Sequence, residues 1–173
     1  MSGAYITVID NGNVYIDGNN LLGRPKEFNL PEITAKMTEY VGLGMIGTIE
    51  VFSGFEKLEG SATWNSFYPD IFNKFYNPMK ASQVMVRANL KTVTGAGIVK
   101  EEALVTTLGV IFKKVPTGGY KPQEASEFAT DFVVTSIVQK LGGKEILAFD
   151  PVNNIYRING VDMLAQFRAN LGQ

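Results

Sequence analysis

Two stretches of this sequence alternate apolar and polar side chains with a period of two, and that period limits what the chain can fold into. Ile33, Ala35 and Met37 alternate with Thr34, Lys36 and Thr38, while Val84, Val86, Ala88 and Leu90 alternate around Arg87, Asn89 and Lys91. Successive side chains of a strand point to opposite faces, so each stretch reads as a strand with an apolar face toward a core and a polar face toward water. Eleven Phe, seven Tyr and 18 Gly extend this reading to the rest of the chain, since aromatic residues suit a half-buried pleated surface and glycines suit the turns between strands. The expected fold is mainly β with short helices: two packed antiparallel sheets in a sandwich or barrel, with a flanking helix and a short C-terminal helix.

Turn signals divide the chain further. Asn11-Gly12, between apolar residues 5–9 and 14–16, predicts a tight hairpin, and Asp17-Gly18 a second turn. A long strand is expected over 28–41, followed by strands over 48–52 and 58–67. Pro69 at a first-turn position, with Ile71, Phe72, Phe75 and Tyr76 behind it, predicts a short helix closed by Pro78. A long hairpin should then turn near Gly95-Ala96-Gly97 and return over 104–115, and a further strand pair, 128–141 and 145–149, should turn at Gly142-Gly143. Residues 162–171 carry Met163, Leu164, Phe167 and Leu171 at helical spacing before Gly172, a stripe too short to be stable unless docked. No linker or repeat interrupts residues 1–173, which read as one domain.

Cys and His are both absent, which removes disulfides, thiolate nucleophiles, a Ser-His-Asp arrangement and metal sites built on imidazole or sulfur. Net charge is −1 with 19% charged residues, and no block of like charge suggests a nonspecific nucleic-acid surface. The stretch Met1-Ser2-Gly3-Ala4-Tyr5 has no cationic region and no apolar run is long enough to span a bilayer, so neither a signal peptide nor a stable membrane association is expected. Gly42-Leu43-Gly44-Met45-Ile46-Gly47 matches the dinucleotide pattern G-x-G-x-x-G, but residues 48–52 read as strand where the pyrophosphate needs a helix N-terminus. It is better read as a conformable glycine loop. Glu101-Glu102 and the spaced Glu124 and Glu127 could serve as acid and base or be solvated carboxylates, and Trp64 could stack on a ligand or belong to a core. Arg87, Asn89 and Lys91 could contact phosphates or line an ordinary wet face.

The C-terminal stretch carries a resemblance. Asp150-Pro151-Val152-Asn153, then Asn159-Gly160-Val161-Asp162 with Leu164, Arg168 and Leu171-Gly172, closely resembles the end of major tail tube proteins from contractile-tailed phages and R-type pyocins. Leu30-Pro31, Ile33, Lys36, Tyr40 and Gly44-Met45 are similar to that family's first long strand and the loop after it. Lys114, Gly119, Lys121-Pro122, Glu124 and Glu127 follow the family's order before its last strand pair. The sequence departs from the pattern at Val41, Phe167 and Ala169, which bears on particular ring-to-ring contacts.

The resemblance implies a non-enzymatic structural subunit that closes six copies into a ring and stacks rings into a hollow tube conducting DNA or ions, with no cofactor. The implied partners are further copies of itself, a tail sheath protein, baseplate and tail terminator proteins, and a tape measure protein and DNA held transiently in the lumen. The implied location is a virion tail or bacteriocin particle assembled in the host cytoplasm. Inter-ring contacts are expected from Tyr40, Gly42, Gly44, Met45 and Gly47. The channel wall is expected from Thr34, Lys36, Thr38, Glu50, Arg87, Asn89 and Lys91, and C-terminal docking from Asp162, Leu164, Phe167, Arg168 and Leu171. The alternatives are a monomeric β-barrel that binds a ligand, a carboxylate hydrolase, and a tube protein of the type VI secretion kind.

Overall fold

The computed structural model describes residues 3–173; residues 1–2 of the N-terminal stretch lie outside the described residues. The strands are β1 (Ile6–Ile16), β2 (Asn19–Asn20), β3 (Pro25–Asn29), β4 (Ala35–Tyr40), β5 (Ile49–Phe55), β6 (Leu58–Trp64), β7 (Ser82–Thr94), β8 (Gly97–Lys114), β9 (Phe128–Leu141), β10 (Lys144–Asp150), β11 (Ile155–Ile158) and β12 (Val161–Asp162). Two short helices, α1 (Pro69–Phe75) and α2 (Ala165–Asn170), complete the described elements. All strand pairs are antiparallel, and they form a ten-stranded sheet and a separate two-stranded sheet, β4–β5. The large sheet branches at β9, whose first half pairs with β6 and whose last half pairs with β10.

The core lies inside the curve of this large sheet and is closed by α1. Leu58, Ala62 and Trp64 of β6 share a face with Val134, Thr130 and Phe128 of β9. Ile71, Phe72 and Phe75 of α1 bury against this layer, with the rings of Phe75 and Phe112 stacked 3.8 Å apart. The helix forms because Pro69 starts it with φ already suitable and no amide hydrogen to strand, while Asp70 in its first turn suits the helix dipole. Asp70 also accepts from Arg24 at 2.7 Å, and Lys74 donates to Asp17 at 3.1 Å, which ties α1 to the turn after β1. Trp64 is fully enclosed and donates its indole N–H to Thr130 Oγ1 at 3.0 Å. It is therefore a core residue and not a stacking platform.

Three local expectations are overturned. Asn11-Gly12 is not a hairpin turn: β1 runs through it and pairs along β7, with a bulge between Ile9 and Gly12. A long partner strand outweighs the local turn preference, and the real turn is Asp17-Gly18, both at positive φ. Residues 28–41 are two strands and not one, broken over 30–34, where Pro31 has no amide hydrogen to give a ladder. The apolar row Ile33, Ala35, Met37 does not face the core; Ile33 packs against it, while Ala35 and Met37 are exposed. Strands β5, β6, β7, β9 and β10, α1 and the turn at Gly142-Gly143 fall close to where the sequence puts them, whereas β8 begins at Gly97 and not at 104, and β2, β11 and β12 have no counterpart in the sequence reading.

Candidate functional site

The β4–β5 hairpin leaves the body of the protein at Phe55. The ring of Phe55 sits 4.8 Å from those of both Phe149 and Tyr156 and 5.1 Å from Phe52, and this aromatic cluster anchors the hairpin base. Beyond the base, both faces are open to solvent. Thr38 and Tyr40 pair with Val51 and Ile49 on one face, and Met37 and Glu39 pair with Phe52 and Glu50 on the other. Met37, Tyr40, Ile49, Val51 and Phe52 are all exposed. A two-stranded ribbon is marginal in water by itself, so one that carries apolar residues on both faces needs further cover.

The loop at its tip, residues 41–48, is also apolar. Gly42 N–H points to Met45 Sδ at 3.2 Å, Met45 N–H donates to Gly42 O at 3.1 Å, and Gly44 takes a positive φ of 84°. This tight turn throws Leu43 and Ile46 fully into solvent, with Val41 and Met45 exposed beside them. The structure thus gathers the predicted contact residues Tyr40, Gly42, Gly44, Met45 and Gly47 into one projecting tip. The glycine signal found the loop but missed Leu43 and Ile46. The clue was available, because a purely solvated turn has no use for large apolar side chains.

The predicted channel residues fall in two places. Arg87, Asn89 and Lys91 share one face of β7, as their spacing requires. Lys91 pairs with Asp10 at 2.5 Å and lies 3.8 Å from Glu101, which also accepts from Asn89 Nδ2 at 3.1 Å. The Asp10 carboxyl is held below its ordinary range by the Lys91 ammonium, and that ammonium is in turn held above its own. Arg87 has no acidic partner among the described residues. Thr34 lies just before β4, while Lys36 and Thr38 belong to that strand. Strand pairing separates Glu50 from them: it lies directly across from Glu39, on the face opposite Thr38. One wall of the hairpin cannot present both Thr38 and Glu50. The acids considered for catalysis are dispersed into surface pairs, Glu102 with Lys100, Glu124 with Lys121 and Glu127 with Lys26.

At the C-terminus the helix is shorter than its apolar stripe suggested, and none of its residues is buried. Leu164 and Phe167 line a cleft, whereas Leu171 is exposed. Asp162 and Arg168 hold the segment in place: Arg168 pairs with the Asp162 carboxylate and donates to Asn154 O at 2.9 Å, while Asp162 Oδ1 accepts from Leu164 N–H at 3.0 Å. The Arg168 guanidinium and the Leu164 amide hold the Asp162 carboxyl below the usual carboxylate range. A depressed carboxyl pKa stabilises the fold above the ordinary value near 4, and that contribution is lost as pH falls through the lowered value. The protection factors of amides over 162–173 should therefore fall as the pH drops below about 4, and Arg168→Ala should give the same fall at neutral pH.

Taken together, the described residues place no convergent acids and no metal cluster, but they do place an exposed hairpin with apolar residues on both faces. A family model, phage tail tube protein FII, matches residues 6–172. The chain belongs to that family. The tail tube protein of Escherichia phage P2 is 30% identical over 165 residues, covering 92% of this chain and 94% of that protein. Two solved structures share the fold. One is the PVC sheath/tube terminator of an extracellular contractile injection system in the extended state, with a TM-score of 0.57 at 6% identity over 75% of this chain and 93% of that one. The other is the extended PVC sheath-tube complex, with a TM-score of 0.54 at 8% identity over 75% and 88%. This tail tube protein is a structural subunit, not an enzyme.

Proposed function

We propose that this tail tube subunit acts as a single domain which closes with five other copies into a ring, and that rings stack into the hollow tube of a contractile tail. The observation that carries the reading is the β4–β5 hairpin, whose two faces and apolar tip have no cover within the protomer. In a stack of rings that cover comes from neighbouring copies, and the tip reaches the next ring. The lumen wall is drawn from the polar face of β7 with Arg87, Asn89 and Lys91; the Thr38 side of the hairpin, which also carries the exposed Tyr40, Ile49 and Val51, is covered by a neighbouring copy.

Pairing of Lys91 with Asp10 and Glu101 supports this wall, because a duplex in transit should not be gripped at many phosphates. Sheath, baseplate, terminator and tape measure proteins are then the external partners, DNA or ions the cargo, and host cytoplasm the place of assembly. Purified protein at high concentration should give rings or tubes by negative-stain imaging, and strictly monomeric protein would remove the reading. The chain has no cysteine, so Asn89→Cys supplies a unique thiol. That thiol should react with a bulky maleimide in monomers and be shielded in tubes; ready labelling along the tube exterior would move β7 to the outer wall.

A further inference from the structure

Between α2, the hairpin base and the middle of β9 lies an apolar cleft of about 750 Å³, lined among others by Phe52, Phe55, Val134, Phe149, Leu164 and Phe167. Val152 and Pro151 edge it, with Glu56 and Lys57 at the rim. Its volume is in the range of sites that enclose several apolar groups. None of the described residues fills it.

We infer that this cleft receives the hairpin tip, Val41, Leu43, Met45 and Ile46, of a second copy of the same chain. The inference rests on the tube reading above and names where on the neighbouring ring the tip lands. The tip and the cleft are the convex and concave apolar surfaces of one molecule, and they lie at opposite ends of the same hairpin. Phe52 at the near edge of the cleft pairs with Met37, and the four residue steps from there to Val41 at about 3.3 Å each hold the tip roughly 13 Å or more from its own cleft along a paired hairpin, so the contact joins two copies. Such a contact uses two different patches, which is the heterologous kind that propagates into rings or stacks. Tip-to-tip packing is disfavoured because Glu39 and Glu50, facing each other across the hairpin with no cation bound to either, would meet their counterparts on the other copy. The half-exposed Phe52 and Phe167 and the exposed Val152 are then covered by Leu43 and Ile46, which removes apolar surface from water on both copies.

The test mixes two single variants, Ile46→Cys and Val152→Cys, assembles them together and treats the tubes with a short bismaleimide. The expected result is a covalent dimer from the mixture and none from either variant alone. Mixed tubes that form but give no 46–152 dimer overturn the cleft assignment and leave the tube reading standing, as does a dimer from Ile46→Cys alone, which would mean tip-to-tip packing. Parent protein that forms no rings or tubes removes the tube reading itself. If Ile46→Cys blocks assembly, Leu43→Cys replaces it. As an independent arm, Val152→Glu should retain parental folding yet cut assembly at least tenfold; unimpaired assembly overturns the proposal.

Discussion

Gly60→Val is expected to destabilise the fold by about 3 kcal/mol or more, at the upper end of what overpacking costs. A Cβ at position 60 would lie 2.6 Å from Asn29 O on β3 and 2.6 Å from Cζ of Phe132 on β9. Neither neighbour can yield. The Asn29 carbonyl belongs to a strand paired with β6, and the Phe132 ring is fully buried, stacked 5.3 Å from Phe28 and edge-on to Phe112 at 5.5 Å. The glycine at this point lets a phenylalanine ring cross the strand where β3, β6 and β9 meet. Urea unfolding of the variant against the parent measures the effect. Gly119→Ala, where a Cβ would meet nothing within 4 Å, is the control and should stay within about 0.5 kcal/mol. An unchanged midpoint for Gly60→Val would mean that the Phe132 ring does not lie over this strand.

The second large effect should be on assembly alone. The double variant Leu43→Asp/Ile46→Asp should unfold at the parental urea concentration, because both side chains are fully exposed to solvent. Tube growth should nevertheless fail. Each apolar side chain contributes about 1.5–3 kcal/mol when buried, so losing two weakens every inter-copy contact by at least roughly 100-fold. Burying carboxylates without partners weakens it further. Sedimentation of polymer against concentration reads the result, and parental growth of this variant would mean that the tip remains in water after assembly. Gly60→Val and the tip variant thus probe separate things: the first breaks the protomer, the second leaves the protomer whole and breaks the tube.

Much of the fold was legible because short-range physics dictates it. Gly142-Gly143 and Asp17-Gly18 adopt positive φ, which glycine permits and a short polar side chain such as Asp tolerates, and both are turns in the structure. Pro69 followed by Ile71, Phe72 and Phe75 is a helix start with one apolar face, and that face is buried. The β7–β8 hairpin follows from the alternation on β7 and the glycine turn at Gly95-Ala96-Gly97. Asn11-Gly12 misled for a definite reason: the pair suits a turn locally, but β1 gains a ladder along β7 only by passing through it as a bulge. Pro31 was a break signal inside residues 28–41 that the alternation of Ile33, Ala35 and Met37 obscured.

The assembly surface was legible as a loop and not as a contact. A glycine-rich tip between two strands marked residues 42–47, but periodicity cannot distinguish an apolar face that the chain buries for itself from one that it leaves for a neighbour. Ala35 and Met37 were read as facing the core and are exposed. Glu50 was grouped with Thr38 because both sit on predicted strands, yet which residues share a face depends on the register between β4 and β5, including a bulge near Lys36.

By itself the sequence determined the β class, the turns whose dihedral demands only a few residues meet, the amphipathic helix α1 and, through its C-terminal signature, the tail tube family. Those are properties of residues near one another along the chain. Only the tertiary structure decided that β1 pairs with β7, that Phe132 crosses over Gly60, that Lys91 is answered by Asp10 and Glu101, and that an apolar cleft opens beside α2. Each of these joins residues far apart in sequence, where pairing register and packing set the outcome and local preference has no say.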